Sequence, residues 1–263
     1  MGTIAITGAA SGLGAATTAR LRADGHRVIT VDLHDADVIA DLGTPAGRRS
    51  AIDAIDDASG GVLDGLVTFA GVAGLPDRAG SLLISVNYFG SAELLTALRP
   101  LLARAEAPAA VAISSNATTC QPAWSAELVD ACLDGDEERA RVLADKEGSI
   151  QSYPAGKVAI ARYVRRNAPT PEWIGEGIRL NAIAPGMIDT PLVAEGYAVP
   201  ELAAALDGFP IPVGRRGRPE EIAGFVAYLL GPEGRFFCGS LLFMDGGTDA
   251  HFRADDWPTV WTP

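Results

Sequence analysis

A tyrosine and a lysine four residues apart form the most chemically distinctive pair in this sequence. Tyr153 and Lys157 fall on a predicted helix over Tyr153–Arg166, so both side chains project from one face. Pro154 falls in the first turn of that predicted helix, where its missing N–H is harmless. A nearby ammonium stabilises tyrosinate and lowers a phenol pKa from about 10 towards neutrality. Such a pair suits general acid–base chemistry on an alcohol or a ketone.

Lysine is scarce in the chain, which makes the position of each lysine informative. The sequence contains 19 Arg and two Lys, Lys146 and Lys157. Because arginine supplies most of the positive charge, a remaining lysine is expected where only lysine serves. A Tyr–Lys pair at this spacing also arises by chance on surface helices, so the prediction depends on the motifs around it.

A glycine-rich run, TGAASGLG at residues 7–14, joins a predicted strand to a predicted helix. Gly8, Gly12 and Gly14 let the chain turn tightly and let a pyrophosphate approach bare backbone N–H groups. The positive end of the helix dipole adds to the attraction for an anion. In this context the run predicts a dinucleotide-binding turn.

An acidic residue ends the second predicted strand, 18 residues after Gly14. The carboxylate of Asp32 can accept hydrogen bonds from the adenosine ribose hydroxyls, and it would repel a 2′-phosphate. Neither Ser11 nor Leu33 offers a positive charge for that phosphate. The sequence therefore predicts NAD, not NADP, as cofactor; the alternative is that Asp32 only caps a strand end.

Strands and helices alternate along the whole chain, which predicts an α/β fold with a doubly wound parallel sheet of seven strands and helices on both faces. We find no repeats or linkers, so residues 1–263 are expected to form a single Rossmann-type domain. The predicted strands are Ile4–Thr7, Arg27–Asp32, Val38–Ala40, Gly65–Ala70, Ala109–Ser114, Ile178–Ala184 and Leu241–Asp245. The main predicted helices are Leu13–Ala23, Pro45–Ala58, Ser85–Arg104, Tyr153–Arg166 and Pro219–Leu230.

Two segments interrupt this alternation. An insertion at about residues 116–150 contains two predicted short helices, Ser125–Leu133 and Asp136–Glu147, with Ser125 and Asp136 as N-caps. The second segment, at about 191–212, has no clean period and contains four prolines. An irregular apolar segment of this length predicts a substrate lid.

Further motifs make the chain resemble the short-chain dehydrogenase/reductase family over nearly its whole length. Besides TGAASGLG and YxxxK, they are Asp41-Leu42, Ala70-Gly71, Val86-Asn87, Ser114-Ser115, NAIAPGMIDTP from Asn181, GRRGRPEEIA from Gly214 and MDGG from Met244. The resemblance implies that Ser115 hydrogen-bonds the substrate oxygen and Tyr153 exchanges its proton. It implies that Lys157 binds the nicotinamide ribose and that Asn87 holds a water of the proton relay.

The resemblance also implies how the chain would hold its cofactor. Asp41 and Leu42 would frame the adenine, and Ile188 and Thr190 would hold the carboxamide. The complete set of expected cofactor-binding residues is Gly8, Ser11, Gly12, Leu13, Gly14, Asp32, Asp41, Leu42, Ala70, Gly71, Tyr153, Lys157, Pro185, Gly186, Ile188 and Thr190.

The chain departs from the family pattern in two places. Thr68-Phe69-Ala70-Gly71 stands where Asn-Asn-Ala-Gly is usual, which removes an amide partner from the neighbouring backbone. The gap from Ser115 to Tyr153 is 38 residues, longer than is usual, and the insertion fills the excess. With the segments DADVIADL, SVNYFG and GIRLNAIAPG, the long gap resembles the bacterial 3α-hydroxysteroid dehydrogenase/carbonyl reductases within the family.

That resemblance implies NAD-linked interconversion of a secondary alcohol and a ketone, with a hydroxysteroid or another bulky apolar carbonyl compound as substrate. An aromatic or terpenoid alcohol remains an alternative, as does a catalytically silent dinucleotide-sensing regulator. Sugar-nucleotide epimerase chemistry is disfavoured, because 263 residues leave no room for a substrate domain. The candidate pocket residues are Ala117, Thr118, Trp124, Met187, Leu192, Tyr197 and Phe209.

Composition narrows the possible partners and locations. A net charge of −12 argues against nucleic acid and disfavours acidic carrier-protein substrates. No apolar stretch approaches the roughly 18 residues that cross a bilayer, and the first strand begins too early for a signal peptide. Three scattered cysteines are too few for a disulfide framework or a zinc site, so no metal is expected and a reduced, cytoplasmic location is predicted.

The insertion also bears on assembly. The family usually forms tetramers, and one two-fold interface uses the helices expected at Ser85–Arg104 and Tyr153–Arg166. An acidic helical pair beside them would cover or replace that interface. We therefore predict a homodimer through Pro219–Leu230, the last strand and a tail containing Phe252, Trp257 and Trp261. The alternative is that the insertion lies over the substrate mouth and the tetramer survives.

Overall fold

A seven-stranded parallel sheet carries the fold in the computed structural model, which describes residues 1–121 and 123–256. The strands are β1 Thr3–Thr7, β2 Arg27–Asp32, β3 Val38–Ile39, β4 Gly65–Thr68, β5 Ala109–Ile113, β6 Arg179–Pro185 and β7 Leu241–Met244. Their order across the sheet is β3-β2-β1-β4-β5-β6-β7. The chain reverses its direction of winding between β1 and β4, and ligands of such sheets bind outside the carboxyl ends of the strands at that point.

Helices cover both faces of the sheet. They are α1 Gly12–Ala23, α2 Pro45–Ser59, α3 Gly80–Ile84, α4 Gly90–Leu102, α5 Ala117–Cys120, α6 Ala126–Leu133, α7 Glu137–Glu147, α8 Ser149–Asn167, α9 Pro191–Tyr197, α10 Pro200–Asp207, α11 Pro219–Leu230 and α12 Thr248–Phe252. Every residue of β4, β5 and β6 is buried, because helices pack on both sides of the central strands. The predicted fold class is confirmed.

A π-helical turn at Ser85–Phe89 separates α3 from α4, where the sequence predicts one helix over Ser85–Arg104. In this turn the N–H of Gly90 bonds the carbonyl of Ser85, five residues back. The run Gly80–Leu102 is long and apolar enough to cross a membrane, contrary to the sequence expectation, and 72% of its apolar window is buried inside the protein. Its hydrophobicity therefore serves the core of this fold.

The insertion forms the two helices that the sequence predicts. Ser125 accepts the N–H of Leu128 at 3.2 Å, and Asp136 accepts the N–H of Arg139 at 3.0 Å, so both residues act as N-caps. Helix α6 packs on α7 and α8, and α7 packs on α3 and α8. Their inner faces are continuous with the main core through Leu128, Val129, Ala131, Cys132, Ala140 and Ala144.

Two local expectations are wrong. The segment at 191–212 is not irregular, because Pro191 and Pro200 each occupy the first turn of a helix, α9 and α10. Pro154 is not in a first turn, because α8 begins at Ser149. The predicted tail residues Trp257 and Trp261 lie outside the described residues.

Candidate active site

A cleft of about 410 Å³ opens at the carboxyl edge of the sheet, beside the reversal point between β1 and β4. All of the residues predicted to bind the cofactor line it, and so does Ser115. Asn87 is not among the lining residues. The cleft also has lining residues that the sequence does not assign to the cofactor or the substrate, because most of them are apolar and look like ordinary core. They are Val31, Leu33, Ala40, Phe69, Val72, Leu82, Val86, Ile113, Ser114, Pro191 and Val193.

The glycine-rich turn has the geometry that bare backbone requires. Gly8 and Gly12 have φ of 67° and 50°, in the left-handed region that favours glycine. A Cβ on Gly14 would lie 2.0 Å from the carbonyl oxygen of Gly8, so no larger residue fits there. The side chain of Ser11, the N-cap of α1, makes no capping hydrogen bond, which leaves N–H groups of the first helical turn for an anion.

Asp32 supports that turn from the end of β2. Its carboxylate accepts the N–H of Ala10 at 2.8 Å and the N–H of Leu33 at 2.7 Å. A carboxylate has about four acceptor sites, so Asp32 keeps capacity for two hydroxyl groups of a ribose. Among the cleft-lining residues that the structure describes, Lys157 is the one cation. The β2 end of the cleft therefore has no partner for a 2′-phosphate.

The unusual Thr68-Phe69 pair alters the hydrogen bonding at the end of β4. The buried hydroxyl of Thr68 has no hydrogen-bond partner within the described structure. The N–H of Ala70 donates to the hydroxyl of Thr7, at the end of the neighbouring strand β1, at 3.1 Å. The next residue, Gly71, packs closely on Asn87: a Cβ on Gly71 would lie 3.2 Å from Oδ1 of Asn87.

Ser115, Tyr153 and Lys157 meet in the middle of the cleft, from the end of β5 and from α8. The hydroxyl of Ser115 lies close enough to that of Tyr153 to lower the pKa of the phenol. Nζ of Lys157 donates to the carbonyl of Ile113 at 3.3 Å and lies 5.6 Å from the centroid of the Tyr153 ring. Ser114 is a structural neighbour, because its hydroxyl donates to the backbone carbonyl of Lys157 at 2.9 Å.

The electrostatics of this set differ from the sequence expectation. Burial raises the pKa of Tyr153, and the hydroxyl of Ser115 opposes that shift only in part. Burial also lowers the pKa of Lys157 to about 8. The expected ammonium-driven fall of the phenol pKa towards neutrality is therefore wrong for this structure. The reason is that desolvation of the phenolate outweighs the effect of Ser115, the one group in the described part of the chain that lowers the pKa of Tyr153.

Asn87 lies in the π-helical turn and faces the loop after β4. Its Oδ1 accepts the N–H of Val72 at 2.8 Å, and its Nδ2 donates to the carbonyl of Val72 at 3.0 Å. Both ends of the side-chain amide are thus engaged by backbone. π-Helical turns occur frequently at functional sites, and this one fixes Asn87 next to Gly71 and the cleft.

The predicted substrate-pocket residues do not form one group. Leu192 lines the cleft with Ser115 and Tyr153, on helix α9. Ala117 and Thr118 are buried in α5, directly after Ser115, and the hydroxyl of Thr118 donates to the Ser115 carbonyl at 2.9 Å.

The remaining four candidates lie elsewhere. The centroid of the Trp124 ring lies 4.8 Å from the guanidinium carbon of Arg162. The centroid of the Tyr197 ring lies 4.3 Å from the guanidinium carbon of Arg216. The Phe209 ring is 5.8 Å from that of Phe252. Met187 lines a second cavity of about 320 Å³, behind the cleft.

The first turn of α9 lines the cleft, and both α9 and the following α10 pack loosely. No residue of α10 is buried, and Gly196 is the one buried residue of α9. An ion pair of 3.1 Å joins Glu195 on α9 to Arg78 in the loop after β4. Few buried contacts are typical of segments that open at low cost.

A glycine-rich turn, an acidic residue at the end of β2 and a Ser–Tyr–Lys set in one cleft define a dinucleotide-dependent oxidoreductase. Comparison with known families supports that class. A family model described as short chain dehydrogenase matches residues 2–126, and one described as enoyl-(acyl carrier protein) reductase matches residues 140–249.

Individual relatives cover nearly the whole chain. It is 40% identical to a 3-alpha-hydroxysteroid dehydrogenase/carbonyl reductase of Comamonas testosteroni, over 96% of this chain and 98% of that protein. It is 32% identical to a cis-4-hydroxycyclohexanecarboxylate dehydrogenase of Sinomonas cyclohexanicum, over 93% and 95%. The crystal structure of the 3-alpha-hydroxysteroid dehydrogenase from Pseudomonas sp. B-0831 complexed with NADH aligns with a TM-score of 0.91 and 45% identity, over 96% of this chain and 99% of that one. The chain belongs to the short-chain dehydrogenase/reductase family.

Proposed function

We propose that this protein is an NAD(H)-dependent oxidoreductase that interconverts a secondary alcohol and a ketone, with a hydroxysteroid or another bulky apolar carbonyl compound as substrate. Ser115, Tyr153 and a buried Lys157 line one cleft, and this grouping carries the proposal. A regulator without catalysis would have no need to hold these three polar groups together in a cleft.

The cleft fits a dinucleotide along its length. Backbone N–H groups around Ser11 and Gly12 would bind the pyrophosphate, and Asp32 would accept the adenosine ribose hydroxyls. The short turn at Asp41 and Leu42 would frame the adenine. NAD is favoured over NADP because the lining at Asp32 and Leu33 contains an anion and no cation. A relative with 45% identity, in complex with NADH, supports this choice.

The protein's own groups would manage the proton and the developing oxyanion. When bound, the cofactor supplies the carbon that gives or takes the hydride. Tyr153 would donate its phenolic proton to the ketone oxygen during reduction and recover it during oxidation, while Ser115 donates a second hydrogen bond to that oxygen. The amine of Lys157, held by the carbonyl of Ile113, would bind the nicotinamide ribose. Since the backbone of Val72 holds one hydrogen bond at each end of the Asn87 side-chain amide, we assign a proton relay at this position to the main chain of Asn87.

The substrate would bind under helix α9, next to Ser115 and Tyr153. Leu192, Val193 and Val72 supply apolar lining there. The Comamonas relative is a hydroxysteroid dehydrogenase, and the Sinomonas relative is a dehydrogenase of a hydroxylated cyclohexane ring. A cyclic secondary alcohol is therefore the favoured substrate class, and aromatic or terpenoid alcohols remain the second candidate.

The test is NADH formation or consumption with a panel of 3α-hydroxysteroids, their ketones, terpenoid ketones, cyclohexanols and aryl alcohols. We expect the highest kcat/KM with a steroid or another fused-ring substrate, and a preference for NAD over NADP. Activity confined to aryl alcohols would support the second candidate. NADH binding without turnover of any panel member would contradict an enzyme of this substrate class.

We also propose a cytoplasmic homodimer. The three cysteines are free thiols, as expected in a reducing compartment. The insertion packs on α3 and α8, and none of residues 126–147 lines the cleft. This placement favours coverage of a helical interface over coverage of the substrate mouth. An apolar surface on α11 and the segment before β7 supplies another interface, with Tyr228 and Phe236 exposed.

A further inference from the structure

Arg48, on helix α2, has a fully buried side chain whose hydrogen bonds reach three parts of the fold. Nε donates to Glu93 on α4 at 2.6 Å. Nη1 donates to the backbone carbonyl of Leu42 at 3.2 Å, and Nη1 and Nη2 both donate to the carboxylate of Glu137 on α7. The arginine therefore links the turn after β3 to the core helices and to the insertion.

The carbonyl that Arg48 holds belongs to the wall of the cofactor cleft. Leu42 is buried and lines the cleft beside Asp41. The turn around it is tightly packed, because a Cβ on Gly47 would lie 2.0 Å from the carbonyl oxygen of Asp41, and one on Gly90 would lie 3.2 Å from Cβ of Leu42. Because the guanidinium is bonded directly to the Leu42 carbonyl, a displacement of Arg48 would remove the hydrogen bond that holds this part of the wall.

The more buried of the two carboxylates that face Arg48 comes from the insertion. Glu137 is the first residue of α7, and its side chain is 18% exposed, whereas that of Glu93 is 42% exposed. A buried cation without a buried partner is strongly destabilising, so Glu137 is the carboxylate that best holds Arg48 in place. Glu137 also accepts the hydroxyl of Ser85 at 2.7 Å, at the start of the turn that carries Asn87.

We propose that Arg48 and Glu137 are positioning residues for the adenine end of the cofactor site, so that the insertion is a working part of the cofactor-binding wall. The route runs from Glu137 through the Arg48 guanidinium to the carbonyl of Leu42. This inference rests on the proposed binding of NAD(H). A purely architectural ion pair would affect the stability of the insertion and leave the affinity of adenine-containing ligands unchanged.

The test measures binding of three ligands to folded variants at one salt concentration: NADH, AMP and reduced nicotinamide mononucleotide, which lacks adenosine. The primary variant is Glu137→Gln, which keeps the shape and removes the charge; Arg48→Gln is the second. The control is Glu127→Gln, which breaks an exposed ion pair of 3.0 Å with Arg139 inside the insertion. Circular dichroism and thermal melting confirm that each variant is folded.

We expect Glu137→Gln to weaken binding of NADH and of AMP by the same factor, roughly tenfold or about 1.4 kcal/mol. The affinity of Glu137→Gln for the mononucleotide should stay within about twofold of the wild-type value. All three affinities of Glu127→Gln should also stay within about twofold of wild type. Unchanged NADH and AMP affinities in Glu137→Gln would overturn the proposal. Equal weakening of the mononucleotide would also overturn it, because that result indicates general loosening of the cleft. Wild-type protein that binds neither NADH nor AMP would instead contradict the proposed function itself.

Discussion

The ammonium of Lys157 lies 5.6 Å from the centroid of the Tyr153 ring, and its hydrogen bond goes to the backbone carbonyl of Ile113. The lysine is thus placed beside the phenol ring, and burial keeps the pKa of Tyr153 above its ordinary value. Tyr153 is protonated at neutral pH in this arrangement. In the proposed reaction, this phenol would act as the acid in ketone reduction.

Removal of the phenolic hydroxyl should abolish most of the turnover. We expect Tyr153→Phe to lower kcat for ketone reduction at least about 100-fold, because a positioned proton donor contributes that much. The dissociation constant for NADH should stay within about twofold. Tyr163→Phe is the matched control: Tyr163 lies on the same helix and its hydroxyl pairs with that of Thr96 at 2.8 Å. Turnover of Tyr153→Phe within about tenfold of wild type would contradict the assignment.

Asp32 should set the preference for NAD. Asp32→Ala should lower the ratio of kcat/KM with NAD to kcat/KM with NADP, because it removes repulsion of the 2′-phosphate. The same change deletes acceptors for Ala10 and Leu33, so NAD binding should also weaken. Asp32→Asn separates the effects, since an amide oxygen can keep one of those bonds. Steady-state kinetics with both cofactors provide the measurement. A wild-type preference for NADP would contradict the role of Asp32 in excluding the 2′-phosphate.

Much of the architecture follows from the sequence, because buried strands and amphipathic helices have distinct periods. All seven strands and helix α11 were predicted to within two residues at each end. The segment at 191–212 is largely helical where an irregular segment is predicted, because Pro191 and Pro200 begin helices instead of breaking them. The prediction for the pKa of Tyr153 is wrong because the direction of the shift depends on burial of the phenol. A spacing of four residues does not reveal that burial. Trp124 and Tyr197, two of the predicted pocket residues, each lie against an arginine, a contact between distant residues that the sequence does not reveal.

Lys157 should destabilise the fold at neutral pH. Burial lowers its pKa to about 8, against about 10.4 in an unfolded chain, so the folded protein carries an unfavourable buried charge below pH 8. Between pH 8 and 10.4 the unfolded state binds more protons, and stability from this group rises with pH. Lys157→Met should therefore raise the free energy of unfolding at pH 7 by up to about 3 kcal/mol while abolishing activity, since one pKa unit is worth about 1.4 kcal/mol.

Urea unfolding at pH 7 and at pH 9.5 measures the effect, and the gain should shrink at the higher pH. Lys146→Met is the control, because Lys146 is exposed on α7 and its replacement should leave stability within about 0.5 kcal/mol. A Lys157→Met protein less stable than wild type at pH 7 would contradict the proposed cost of burial.

Light scattering at micromolar concentration should give the mass of a dimer. The apolar surface near α11 contains a stacked pair, Phe225 and Tyr228, with ring centroids 5.9 Å apart, and Phe236 beside it is fully exposed. Tyr228→Glu should shift the protein towards monomer, because a charge buried in an apolar interface is costly. Val142→Glu is the control at an exposed position of α7. A tetramer mass for the intact chain would refute the idea that the insertion blocks the larger assembly.

The placement of the insertion also has a kinetic consequence. Helices α6 and α7 precede α8 directly in the chain and pack on it. Contacts between adjacent segments close small loops and cost little entropy, so this corner of the core can form early, as the chain emerges during synthesis. The insertion covers parts of α3 and α8 from within the same polypeptide. The burial of these helix surfaces is therefore independent of protein concentration.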